Sequence, residues 1–216
     1  DTFLRLSSDP SLLRQELVAG KSSIQQPVII DEIQKLPALL DEVHDLIEAH
    51  GFRFILTGSS PRKLKRAGAN LLGGRARTRH LFPLLAREIP DFDLNRAVNF
   101  GTLPSIYQSD DPQEDLLAYC SDYLQEEIIA ELAARGIESF SRFLQTAALN
   151  NAELVVVESL ASDAQVPSRT LREYFAILED TLIGTQVMPF KKTKSRKAVS
   201  STKFYFFDVG VCNALA

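Results

Sequence analysis

Val28-Ile29-Ile30-Asp31-Glu32 is an apolar run that closes on two acids, and Phe52-Arg53-Phe54-Ile55-Leu56 is a second run that closes on Thr57-Gly58-Ser59-Ser60. The first run is too short for a helix and fits a strand buried in a parallel sheet. Between the two, Pro37 opens a segment in which Leu39, Leu40, Val43, Leu46 and Ile47 recur at helical spacing, and Gly51 closes it. Strand, helix and strand with short joints make the parallel crossover unit of an α/β sheet. Open sheets of this kind hold ligands at the carboxyl ends of their strands, and both polar tips fall there.

Outward from that unit, residues 10–19 read as a short helix with Leu12, Leu13 and Leu17 inward and Gly20 at its end. A basic helix is expected over 61–72, stopped by Gly73-Gly74, and a further strand over 76–83. From about residue 112 the pattern is helical only. Leu116, Leu117, Tyr119, Cys120, Tyr123, Leu124, Ile128 and Leu132 mark one long amphipathic helix, and Phe140, Phe143, Leu144 and Ala147 mark another. A short helix near 157–164, the turn Gln165-Val166-Pro167, and a helix carrying Leu171, Tyr174, Phe175, Leu178 and Leu182 on one face read as a helix-turn-helix. Strands over 182–190 and from Phe204 to Phe207 would supply a wing. There is no internal repeat.

The totals exclude several classes. At 216 residues and 45% apolar composition the chain can build one large core or two small ones. Its net charge of −4 exerts no global pull on nucleic acid, but the average hides two basic islands. Arg62, Lys63, Lys65, Arg66, Arg75, Arg77 and Arg79 form one without an intervening acid; Lys191, Lys192, Lys194, Arg196, Lys197 and Lys203 form the other. Such local fields can hold phosphate on an acidic protein. Cys120 and Cys212 make no C-x-x-C pair, which fits a reducing cytoplasm and no zinc knuckle. No apolar run approaches the ~20 residues of a membrane span.

The chemistry sits at the strand tips. In a phosphate-hydrolysing site of the P-loop type, one acid holds Mg²⁺, a hard cation that takes oxygen ligands, and its neighbour orients and deprotonates the attacking water. Asp31 and Glu32 are the candidates in that order. Acids before a helix N-terminus are also favoured by the helix dipole alone. Thr57, Ser59 and Ser60 would bring hydroxyls to the nucleotide, Ser59 first; the competing reading makes Ser59 or Ser60 an N-cap ahead of Pro61. Arg75 could project from a subunit edge to a neighbour's γ-phosphate in a homo-oligomer, with Arg62, Arg66, Arg77 and Arg79 as competitors. The phosphate-gripping G-x-x-x-x-G-K-[ST] is absent from the 216 residues. In the helix-turn-helix, Ser168, Arg169, Arg172 and Glu173 could face a DNA groove, with Lys191, Lys192, Lys194, Arg196 and Lys197 on phosphates. Glu173, Glu179 and Asp180 count against that. His44, His50 and His80 show no metal-binding spacing.

Three runs carry a resemblance: Pro27-Val-Ile-Ile-Asp-Glu-Ile-Gln-Lys-Leu-Pro37, Phe54-Ile-Leu-Thr-Gly-Ser-Ser60 and Asn70-Leu-Leu-Gly-Gly-Arg-Ala76. Together with Gly101-Thr-Leu-Pro104, Tyr123-Leu-Gln-Glu-Glu-Ile128, Thr170-Leu-Arg-Glu-Tyr174, Leu178-Glu-Asp-Thr-Leu182 and Lys203-Phe-Tyr-Phe-Phe-Asp208, the chain resembles prokaryotic AAA-superfamily ATPases that carry a C-terminal domain of unknown function. The resemblance implies an ATPase core followed by a winged helix and a restriction-endonuclease-like domain, with ATP and Mg²⁺ as cofactors. It implies that Asp31 and Glu32 are Walker B acids, Ser59 the sensor-1 position and Arg75 an arginine finger. By that likeness the P-loop should precede Asp1 and the nuclease-like segment should follow Ala216. The start on Asp1, with Met188 the single Met, fits an N-terminus that is not the natural one.

The expected fold is thus α/β: a partial P-loop (AAA/ASCE-type) parallel sheet with helices over 1–100, a helical connector over 101–135, a winged helix over 136–208, and the start of a further domain at 209–216. The expected function is ATP hydrolysis in the complete protein; the alternatives are a winged-helix DNA-binding module and an inactive assembly module.

Overall fold

The computed structural model describes residues 2–21, 25–58, 76–124, 136–190 and 201–216. By packing, the chain divides into two compact units, Asp1–Arg79 and His80–Ala216.

The first unit contains α1 (Thr2–Ser8), α2 (Ser11–Ala19), β1 (Val28–Ile30), a 3₁₀ turn (Ile33–Lys35), α3 (Leu39–His50) and β2 (Phe54–Leu56). β1 and β2 pair in parallel with Val28 opposite Phe54, Ile29 opposite Ile55 and Ile30 opposite Leu56. Strand side chains alternate between faces. Val28, Ile30, Phe54 and Leu56 accordingly pack on a core of Leu13, Ile33, Leu39, Leu40, Val43, Leu46 and Phe52. Ile29 and Ile55 point the other way and stand 67% and 49% exposed. Gly51 ends α3 in the left-handed conformation, φ 71°, and donates its N–H to Ile47 O at 3.1 Å. That turn requires the glycine and sends the chain straight into β2. Arg14 clasps α2 to α3 through Glu42 at 3.3 Å and Asp45 at 3.4 Å.

Residues 76–83, where a strand is expected, are irregular instead, and the second unit opens within them at His80. Three cations (Arg77, Arg79 and, when charged, His80) and Pro83, which has no N–H for a ladder, explain the difference. Then follow α4 (Leu94–Phe100), α5 (Pro104–Tyr107), α6 (Pro112–Ala118) and a π-helical turn (Tyr119–Leu124). After them come α7 (Ile137–Leu149), α8 (Val157–Asp163), α9 (Ser168–Asp180), β3 (Gly184–Val187), β4 (Lys203–Phe206) and α10 (Val209–Leu215). The long helix expected from Leu116 widens into the π turn at Tyr119 instead of continuing as α-helix. The expected helix over 61–72 and the basic loop after residue 190 lie outside the described residues.

An aromatic chain runs through this unit's core. Phe140 and Phe143 of α7 meet Tyr174 of α9 with ring centroids 4.7 and 5.3 Å apart. Phe143 meets Phe175 at 5.0 Å, and Phe175 meets Phe204 of β4 at 4.9 Å. All but the tilted Phe143–Tyr174 pair are edge-on, a geometry that adds to area burial. β3 and β4 are antiparallel, Gly184 opposite Phe206 through Val187 opposite Lys203, shorter than the strand expected over 182–190. Glu179 at the end of α9 fastens the hairpin by accepting from Gln186 N at 2.8 Å and from Gln186 Nε2 at 3.1 Å.

Residues 209–216, placed by the sequence reading at the start of a further domain, form α10, and its Val211 and Cys212 are buried in this same core. Residues 80–100, assigned there to the ATPase core, also pack in this unit. A Cβ on Gly210 would collide with the Phe100 backbone, so α10 lies against the end of α4 at a distance only glycine permits. Asn213 Nδ2 donates to Val98 O at 2.9 Å and to Asn99 O at 3.1 Å across the same contact.

Candidate functional site

The parallel register puts the tips of β1 and β2 side by side. Thr57 N donates to Ile30 O at 3.0 Å, and Ile33 N donates to Thr57 O at 3.0 Å, so the ladder continues past both strands. Beyond it the Thr57 hydroxyl donates to Asp31 Oδ1 and accepts from Glu32 N at 3.3 Å. One side chain just past β2 therefore meets both residues that follow β1, the carboxylate of Asp31 and the backbone of Glu32.

Strand alternation would send Asp31 and Glu32 to opposite faces. The backbone prevents that, because Glu32 takes a left-handed conformation, φ 54° and ψ 46°, and starts the 3₁₀ turn. Its carboxylate Oε2 accepts from Gln34 Nε2. Asp31 is exposed and Glu32 half-buried. On the α1 side the acids border a shallow, largely apolar groove of about 200 Å³ lined by Phe3, Leu6, Leu36 and Lys35 among others.

Among the sequence candidates, the structure brings together Asp31, Glu32 and Thr57. Ser59, Ser60 and Arg75 lie outside the described residues, as do Lys191, Lys192, Lys194, Arg196 and Lys197. Arg169 and Arg172 are exposed on α9, but Arg169 Nε pairs with Glu173 at 3.2 Å and Arg172 lies 4.0 Å from Glu158. Sequence reasoning missed Gln34 as a partner of Glu32. The signal was the D-E-x-Q spacing, which puts both residues on one tight turn once Glu32 leaves the strand path.

Among the described residues the two cysteines are not arranged for chemistry. The Cys120 thiol is pushed up to about 11, first by burial and then by the Asp208 charge, and Cys212 is raised by the same two causes. Thiols held neutral in this way are poor nucleophiles. Among the described residues no group of three or more His, Cys, Asp or Glu could hold a metal ion. Nor is any described helix long and apolar enough to cross a membrane.

Comparison with known proteins divides the chain near the same place as its packing. A family model described as an AAA domain matches residues 2–90, and this match supports an AAA-like fold for the segment. An uncharacterized protein of Mycobacterium bovis (Mb2031c) and one of Mycobacterium tuberculosis (Rv2008c) are each 25% identical over 200 residues, covering 90% of this chain. The chain spans 45% of their length. No solved structure matches it. A second family model covers residues 91–216, more than half of the chain, and on that match the chain belongs to the family described as a domain of unknown function (DUF8612).

Proposed function

We propose that residues 1–79 carry the acid-and-hydroxyl half of an ATP-hydrolysing site, completed in the whole protein by a phosphate-gripping loop. The observation that carries this reading is the Thr57 hydroxyl, which binds the Asp31 carboxylate and the Glu32 N–H at adjacent parallel strand tips. An AAA-like fold uses that end of the sheet for nucleotide. The donor set fits the cofactor: an exposed carboxylate and a hydroxyl are hard oxygen donors, and Mg²⁺ is commonly bound through one or two carboxylates together with substrate phosphates and water. Asp31 would hold the ion, which when bound would neutralise charge on the phosphates. Glu32 would orient the attacking water and take its proton. Ser59 would contact the γ-phosphate, with Ser60 as second choice, and Arg75 would reach a neighbouring subunit's nucleotide.

The test is Glu32→Gln in the complete protein. Nucleotide affinity should persist while turnover is abolished, because the amide keeps the shape and loses the base. Undiminished turnover would falsify the assignment.

A second reading concerns the C-terminal unit. α8 and α9 followed by the β3–β4 hairpin have the order of a winged helix, and this supports a DNA-binding or domain-packing module there. Both cations of α9 have carboxylate neighbours, so in this reading phosphate contact falls to Lys191, Lys192, Lys194, Arg196 and Lys197.

A further inference from the structure

We propose that Gln34 is a positioning residue for Glu32 and that Gly58 exists to make room for it; the inference rests on the ATPase reading above. Glu32 is held at two points. Its N–H donates to the Thr57 hydroxyl at 3.3 Å, which fixes the backbone, and its Oε2 accepts from the Gln34 amide, which fixes the carboxylate. Without the second contact, a glutamate side chain at a strand tip samples several rotamers, and its carboxylate can sweep through several ångströms.

Gln34 is itself held. It lies on the 3₁₀ turn Ile33–Lys35, whose Ile33 is buried in the core and whose Lys35 N donates to Glu32 O at 2.8 Å. The other end of its amide, Oε1, is buried and presses on Gly58 so closely that a Cβ there would overlap it. Gly58 follows Thr57 directly, so the residue that holds Asp31 and the residue that leaves space for Gln34 are neighbours on β2's exit. The D-E-x-Q turn and the T-G step are thereby one device. A carboxylate that must meet a water in one orientation gains from such a restraint, since misplacement of a catalytic group by about 1 Å can cost on the order of 10²-fold in rate.

The experiment uses three variants of the complete protein: Gln34→Met, which keeps length and loses the donor; Gly58→Ala, which displaces the amide; and the double variant. Steady-state kinetics with Mg²⁺·ATP should show kcat reduced by on the order of 10²-fold in each single variant. KM and the affinity for a fluorescent ATP analogue should be unchanged. The double variant should be no slower than the slower single one, because both remove the same contact. A second readout needs no turnover: in ¹⁵N-labelled protein the Gln34 side-chain amide protons should exchange slowly, and quickly in Glu32→Ala and Gly58→Ala. Rapid exchange in the unaltered protein, unchanged kcat in Gln34→Met, or independent, additive losses in the double variant would each overturn the proposal. Glu32→Gln separates the two levels. If it abolishes turnover while Gln34→Met does not slow it, the positioning role alone is lost; if Glu32→Gln turns over normally, the ATPase reading falls and this role with it.

Discussion

Among the described residues of the second unit Asp208 is a buried carboxylate, 4% exposed, that accepts from two backbone N–H groups. Its Oδ2 accepts from Thr102 N at 2.7 Å and its Oδ1 accepts from Val211 N at 3.1 Å, so it caps α10 and ties it to the chain after α4. A buried charge is tolerated where donors surround it. Gly101 leaves the space: it sits at φ 78° and ψ −166°, and a Cβ on it would overlap the Asp208 carboxylate. Gly101→Ala should therefore cost about 3 kcal/mol or more, combining backbone strain with a dislodged carboxylate. Urea denaturation followed by circular dichroism will show a lower midpoint; an unchanged midpoint would mean that the loop shifts without penalty.

At the scale of elements, boundaries were legible wherever a residue with special backbone chemistry marked them. Gly20 and Gly51 stop α2 and α3, Pro167 precedes α9, and the apolar runs around Ile29 and Ile55 give β1 and β2. α1 was not legible because none of its residues is buried, so no apolar stripe announces it. α10 hid behind Asp208, a cap that reads in sequence as a strand ending in an acid. The π turn at Tyr119–Leu124 keeps the apolar spacing of a helix while changing its winding, which composition does not reveal. Glu179 counted in the sequence as an acid against groove reading by α9, and in the structure it accepts from Gln186. The prediction that belongs here concerns the basic run after β3. If the C-terminal unit binds duplex DNA, affinity should fall steeply with salt as counterions are released. Neutralising Lys191, Lys192, Lys194, Arg196 and Lys197 should lower the log–log slope by up to about 4.5, measured by fluorescence anisotropy across a salt series. An unaltered slope removes the run from the interface.

For the whole molecule, α/β character in the first unit followed by helices and a hairpin was legible from residue pattern alone. The division between units was not, because residues 80–100 have no glycine or proline cluster to announce a border, and their allegiance is set by α4's contact with α10 more than 100 residues along the chain. The site was half legible. Asp31, Glu32 and Thr57 stand at strand ends, where spacing speaks; the D-E-x-Q spacing brings Gln34 to Glu32 only through the left-handed torsion at Glu32, which residue pattern does not reveal. Global stability should also carry a signature of the two cysteines. Their thiols are raised in the folded state, to about 11 for Cys120, above the ordinary 9.0. The unfolded chain therefore releases protons first as pH rises, and stability present below pH 9 should be lost progressively towards pH 11. Replacing Cys120 by Val should flatten that decline in urea midpoints taken across the range; an identical decline would assign it to other groups. Glu32 brings one last consequence. Its torsion is one that an L-residue adopts at a cost of about 1–2 kcal/mol and glycine adopts freely. A programme that hardened this chain against heat by relieving awkward dihedrals would choose position 32 early, and glycine there would keep the N–H that meets Thr57 but erase the carboxylate that Gln34 holds. Durability and chemistry compete for one bond rotation.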